Sequence, residues 1–326
     1  MVSVNHEGAQ RWSWFANWAL LVMKLVIAVL SNSKAVWAAF AGESGWRHFR
    51  YSVVDIISQF VLAMASRYMN IHHEDYPVGR SKLEALSVLA CSAIMAITSV
   101  EVVQFSCVDL VNGANGNIPR LEVTWVMYLS LGLGILLKFA LYVYCRMATQ
   151  QEASDILTAL AEDHINDVFS NSAAIVTASL AFMFRSMWWL DPAGAIAISV
   201  VIVVRWSAMI SEQVKKLIGF TAPPDWIEMV NTLAKEHDDR ILLDCTRAYH
   251  FGARFNVEME IVLPAQMSVR ESHDIALALQ HKIEELDDVE RAFVHVDHLT
   301  RDGLEHKIER TLTNSSRRLL QEKEEQ

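Results

Sequence analysis

With 326 residues, 52% of them hydrophobic, and a formal net charge of −10, the chain is too apolar for an ordinary soluble protein. It is also too acidic for a nucleic-acid partner, because phosphate binding needs a basic face. The four cysteines, Cys91, Cys107, Cys145 and Cys245, form no CxxC pair, and three lie in apolar stretches where a free cysteine is a small buried hydrophobe.

The opening MVSVNHEGAQRWSW lacks the basic region, apolar core and cleavage site of a signal peptide, so the first apolar run is expected to remain as a spanning helix. Six apolar stretches approach the roughly 20 residues that a membrane crossing needs. They run from Trp18 to Ala41, Val53 to Met69, Leu83 to Val111, Val123 to Arg146, Ile156 to Phe184 and Trp189 to Ile210. Asn112 to Pro119 (NGANGNIP) is a turn-rich connection, and Asp191-Pro192 opens the last helix with proline in its first turn. Arg67, Arg80 and Lys82 place the connection Ser66 to Lys82, and with it both termini, in the cytosol. Gly42 to Arg50 then falls on the far side although it carries Arg47 and Arg50, against the positive-inside rule.

From Lys215 to the end, 22 Asp and Glu face 15 Lys and Arg, a net charge near −7, which reads as an acidic soluble domain. A helix opens at Pro224 and reaches about His237, and Leu242 to Phe251 reads as a strand. Arg254 to Leu263 alternates apolar and polar residues as a half-buried strand does. Met267 to Leu286 is an amphipathic helix and Arg291 to Val296 a further strand. The order α-β-β-α-β is that of a small sandwich with its helices on one sheet face. The expected division is an N-terminal cytosolic segment 1–16, a transmembrane domain 17–214, a cytosolic domain 215–302 and a polar tail 303–326.

The polar run Glu162 to Asn171 (EDHINDVFSN) interrupts the fifth apolar stretch. Asp163 and Asp167 are four apart, so on a helix both carboxylates project from one face, and Asn171 continues the stripe. Two carboxylates and an amide oxygen suit a hard divalent cation; a solvated interface is the competing reading. His164 stands one residue off the stripe and reads as a neighbour rather than a ligand. Asp55 opens a strongly apolar run, where an acid marks a functional position, although an acid at the positive end of a helix dipole would look the same. Paired intramembrane acids also occur in intramembrane proteases, but no GxGD-like motif accompanies them, and an enzyme is not expected.

DHINDVFSN, YPVGRSKLEALSVLACSAIM, TAPPDW, TRAYHFGARFNVEMEIVLP and ESHDIALALQHKIEELDDVERAFVHVD together resemble the cation diffusion facilitator family of divalent-metal efflux transporters, and within it the manganese-type branch. The similarity runs from about Asn17 to His298. It implies an all-α domain of six transmembrane helices and a C-terminal α+β ferredoxin-like cytosolic domain. It also implies a homodimer in a membrane, an endomembrane before the plasma membrane, that exchanges metal for protons. No resident cofactor is implied; the divalent cation is cargo, manganese first, with iron or zinc as alternatives.

By resemblance, Asp163 and Asp167 fill the two helix-five ligand positions and Asp55 the second helix-two position, with Asn171 beside them. The first helix-two position is Tyr51, a departure from the family. GESGWRHFRY reads as an insertion that displaces the acid, and Glu43 is a candidate substitute. Asn17 on the first helix is a further supporting candidate. Tyr76 and Arg80 stand where relatives carry the histidines of an exposed zinc site, so that site is expected to be gone, with His72, His73, Glu74 and Asp75 a solvated loop. Glu260, His273, His295 and Asp297 lie at or near positions that bind regulatory metal in some relatives. A transport-impaired isoform or subunit that pairs with an active paralogue is the alternative reading, motivated by Tyr51 and the inserted segment.

Overall fold

The computed structural model describes residues 6–30, 43–69, 71, 73–117, 125–151 and 154–300, and side chains of the first, second and fourth helices from residues 8 to 22, 53 onward and 128 onward. It divides into two compact units, residues 1–220 with 250–254, and residues 221–249 with 255–326.

The first unit is helical: α1 (His6–Leu30), α2 (Glu43–Met69), α3 (Lys82–Ala114), α4 (Trp125–Gln151), α5 (Asp155–Met183) and α6 (Leu190–Leu217). Among the described residues, three segments, Lys82–Ala114, Tyr128–Gln151 and Leu190–Leu217, are long and apolar enough to cross a membrane by length and composition. Their apolar residues point outward, with Ile97, Val100, Leu129, Leu133, Leu136, Val201 and Val204 all exposed, as expected where the surrounding solvent is lipid. The other three helices are 25, 27 and 29 residues long. Acids and amides dilute the hydropathy of α2 and α5 below that of an uninterrupted span.

α3 lies along α6, α4 along α5, and α2 against both α1 and α3. α5 is therefore enclosed, touching α4, α6, α3, α1 and α2. Its first turns are the most deeply packed part of the unit, where Ile156, Leu157, Ala159, Leu160 and Ala161 join Leu62, Val88, Cys91, Cys145 and Ala148 in one core. Small residues on α5 let its neighbours approach closely, the usual device for packing helices without a hydrophobic gain between them. The N-terminus of α5 is capped by Ser154, whose Oγ accepts from the Leu157 N–H.

The second unit contains α7 (Pro224–Lys235), α8 (Val269–Glu284) and a three-stranded sheet of β1 (Leu242–Phe251), β2 (Arg254–Val262) and β3 (Val289–Asp297), in the order β1-β2-β3. A tight turn at Gly252, φ 76°, joins β1 to β2; that left-handed backbone suits glycine. β2 and β3 are parallel, with Glu260 opposite His295 and Val262 opposite Asp297. Val257, Met259 and Ile261 alternate inward on β2 and meet Val230 and Ala234 of α7 and Leu279 and Ile283 of α8. Ser268 and Glu271 stand at the start of α8 in the order of a capping box, and Ser268 Oγ accepts from the Glu271 N–H at 3.2 Å.

Candidate metal-transport centre

On α5 the stripe of Asp163, Asp167 and Asn171 faces α4. Asp163 is 5% exposed and Asp167 is half-buried. Between them stands Lys138 of α4, itself 3% exposed, with its ammonium 3.7 Å from Asp163 Oδ2 and ion-paired to Asp167 Oδ2. One turn earlier on α4, Gly134 lies against Asn171; a Cβ there would meet the Asn171 Nδ2 at 3.8 Å. The acidic stripe is thus matched, turn for turn, by a glycine and a lysine on the facing helix.

α2 supplies the next wall. Asp55 lies within electrostatic reach of both Lys138 and Cys91, and Gln59, one turn on, is 4% exposed. Toward α1, the fully buried His164 places Nε2 2.9 Å from Ser13 Oγ, which in turn sits 3.8 Å from Cys145 Sγ. Its Nδ1 is 3.9 Å from Asp163 Oδ2. The imidazole therefore ties α5 to α1 through Ser13 and turns only its other edge toward the acids. Asn17, one turn beyond Ser13, is buried as well. The opposite side of α5 carries a second cation: Arg205 of α6 ion-pairs with Glu162 and lies 3.4 Å from Asn166 Oδ1.

Many buried polar atoms around Asp163 have no hydrogen-bond partner within the protein. They include both Asp163 carboxylate oxygens, both Gln59 amide atoms, Asn17 Nδ2, Asn166 Nδ2 and His164 Nδ1. A cluster of this density is uncommon in a folded interior, where nearly all buried polar groups are satisfied. It suits a place where water or an ion completes the bonding.

The sequence-predicted residues separate into three groups. Asp163, Asp167 and Asn171 are brought together with Asp55 in electrostatic reach, although among the described residues no three His, Cys, Asp or Glu side chains already converge as a metal cluster; Lys138 stands between the carboxylates instead. Glu43 begins the same continuous helix that carries Asp55 twelve residues later, which separates the two by about 18 Å along the axis at 1.5 Å per residue. Residues 43–50 thus extend α2, and Tyr51 occupies the helix one turn before Asp55; its side chain lies outside the described residues, as does His72. Arg80 stacks over the Tyr76 ring at 4.2 Å, so a cation–π contact stands at those two positions, and His73 and Asp75 are exposed beside them.

In the second unit, Glu260 is engaged by Arg247 at 2.7 Å. Asp297 accepts from the His298 backbone N–H at 2.8 Å, and His273 is exposed beside Asp274. Only Glu260 and His295 share a register position. Lys138 and Arg205 were not anticipated from sequence. Each is a lone charge inside an apolar run, ILLKFAL and VIVVRWS, which is itself the signal of a functional intramembrane residue.

Residues 12–218 match the model of the cation efflux transmembrane domain, and residues 222–299 that of the cation efflux protein cytoplasmic domain. The chain is 36% identical over 295 residues to metal tolerance protein 10 of Arabidopsis thaliana, covering 89% of this chain and 65% of that one. It is 33% identical over 312 residues to metal tolerance protein 3 of Oryza sativa subsp. japonica, covering 95% of this chain and 72% of that one. Metal tolerance protein 7 of the same rice is 33% identical over 295 residues, covering 90% and 71%. The chain thus spans about two thirds of the length of these relatives, slightly less for the Arabidopsis protein.

Proposed function

The chain belongs to the cation efflux, or cation diffusion facilitator, family, and from that premise we propose that it moves a divalent metal cation out of the cytosol, bound between α2, α4 and α5. The metal is the cargo and Asp55, Asp163 and Asp167 are its carboxylate ligands, with Asn171 adding an amide oxygen. One observation carries the reading: in a helix that five others contact, the buried Asp163 carboxylate stands beside Asp167 with one ammonium, that of Lys138, between them, 3.7 Å from Asp163 Oδ2. Two carboxylates set against one buried cation favour a further positive charge at the same place.

The donors are oxygens, which favours a hard ion. Manganese is the first choice, with iron and zinc as alternatives. Metal binds ionised carboxylates and protons replace it there, so the same oxygens couple an outward metal flux to an inward proton flux. Movement of the helices around a fixed mid-membrane site would expose it to each side in turn. The C-terminal unit belongs to a domain associated with dimerisation, and a homodimer in an endomembrane is the proposed working form.

Purified protein in vesicles with an acidic lumen tests this. Mn²⁺ uptake driven by the proton gradient is expected, with Asp163→Ala abolishing it. Undiminished uptake by that variant would overturn the assignment.

A further inference from the structure

We infer that Lys138 is a tethered counter-cation of the transport site: divalent metal displaces its ammonium from Asp163 and Asp167, and the ammonium returns when the metal leaves. The inference rests on the proposed metal site and adds a selectivity determinant to it. A lysine 3% exposed inside a helical bundle persists only where acids compensate it. Here both stripe carboxylates do so, Asp163 at 3.7 Å and Asp167 in direct contact, with Asp55 adding its field from α2.

The exchange follows from charge. Coulomb energy scales with the product of charges at a given separation, so a divalent ion at the same oxygens gains about twice what the ammonium gains. It also sits closer, at roughly 2.0–2.6 Å for hard cations. A divalent cation can therefore evict the ammonium. A monovalent ion cannot, because it offers no more charge than the lysine, and the lysine is covalently held at high effective concentration.

The four-carbon stem lets the ammonium withdraw by rotation about its side-chain bonds rather than by a helix shift. Gly134, one turn away, leaves the facing surface open, with only the Asn171 amide near its place. On metal release the returning ammonium and the incoming proton together spare the carboxylates a several-kcal/mol penalty for buried, unpaired charge. Lys138 thus lowers metal affinity in exchange for fast release and for exclusion of K⁺ and Na⁺.

The test uses the purified full-length chain and titration calorimetry with Mn²⁺, in low salt and in excess KCl. Lys138→Met is expected to bind Mn²⁺ at least tenfold more tightly in low salt, to lose that gain in KCl, and to release metal more slowly from loaded vesicles. Lys138→Arg keeps the charge and is expected to keep the wild-type indifference to KCl. Unchanged or weaker Mn²⁺ binding by Lys138→Met, without new KCl sensitivity, would overturn the inference. Where Lys138→Met does not purify as a folded protein, Lys138→Met with Asp167→Asn balances the charge; new KCl sensitivity in that pair supports the inference and its absence refutes it. Asp163→Asn is run alongside: if it binds Mn²⁺ as the wild type does, the metal site itself is misplaced, whatever Lys138 does.

Discussion

The Glu84 carboxylate of α3 caps α5 at Asp155, with Oε1 accepting from the Asp155 N–H at 2.8 Å. The same oxygen takes the Ser154 hydroxyl at 2.8 Å and lies 3.3 Å from the Ile156 N–H. An acid from another helix thus answers donors that the first turn of α5 cannot satisfy internally, at the end where the macrodipole is positive. It sits two turns before the acidic stripe and fixes where that stripe stands. Glu84→Ala is expected to destabilise the chain by about 2 kcal/mol, the range for hydrogen bonds to a charged group. The thermal midpoint should fall, and amide exchange should rise at residues 155–157 rather than across the chain. An unchanged exchange pattern would mean that Ser154 alone caps the helix.

Asp155 also holds Lys216 at 2.7 Å, and this pair faces His250, which with Gly252 docks on the end of α6 through backbone bonds to Phe220 and Lys216. Burial, and then the Lys216 ammonium, hold the His250 imidazole below its usual value of 6.5, against smaller opposing effects of the Gly252 backbone, Asp155 and Glu212. A group whose folded value is depressed stabilises the fold above its unfolded value and loses that contribution as pH falls through the folded one. Thermal stability is therefore expected to decline as pH drops below 6.5. His250→Gln should show a shallower decline over the same range. Parallel curves for the two proteins would remove His250 as the cause.

Much of this architecture is legible in the sequence because periodicity carries it. β1 falls on Leu242 to Phe251 as expected, and α8 and β3 lie within two residues of their expected ends, α8 being two residues short at each. α5 begins one residue before its expected start because Ser154 caps it. The stripe of Asp163, Asp167 and Asn171 needed only helical spacing. Lys138 was not found, because hydropathy averages over a window and one cation hardly lowers a run such as GILLKFALYV. Its meaning comes from α4 meeting α5, and such pairing is tertiary information that no local pattern contains. GESGWRHFRY reads as an insertion ahead of the second span, whereas α2 continues through residues 43–50, and helical rise sets Glu43 about 18 Å along the axis from Asp55.

Gly134 is the place where α4 makes room for Asn171. A methyl group there would sit 3.8 Å from the amide nitrogen, an ordinary contact, and alanine in a helix interior is favoured over glycine by roughly 0.5–1 kcal/mol. Gly134→Ala is expected to keep transport and raise the thermal midpoint slightly. Gly134→Leu extends three further carbons toward Asn171 and should cut Mn²⁺ transport severalfold while the protein still purifies as a folded species. Equal transport by both variants would show that Asn171 contributes no ligand.

Tyr51 and Asp55 are one turn apart in a continuous α2, so position 51 lies on the face that Asp55 presents. Rebuilding a carboxylate pair there needs no deletion of residues 42–50, because the helix already sets the spacing. Three carboxylates leave a hard cation, which takes six to eight oxygens, to find most of its ligands elsewhere. Tyr51→Asp is expected to tighten Mn²⁺ binding severalfold in calorimetry, by adding an oxygen donor and by deepening a negative field that draws a divalent ion about twice as strongly as it draws the Lys138 ammonium. Glu43→Ala should leave binding and transport unchanged, since about 18 Å of helix at 1.5 Å per residue separates it from Asp55. If Glu43→Ala abolished transport and Tyr51→Asp did nothing, the chain before Tyr51 would have to fold back toward the site. That outcome would contradict a helix that runs unbroken from Glu43.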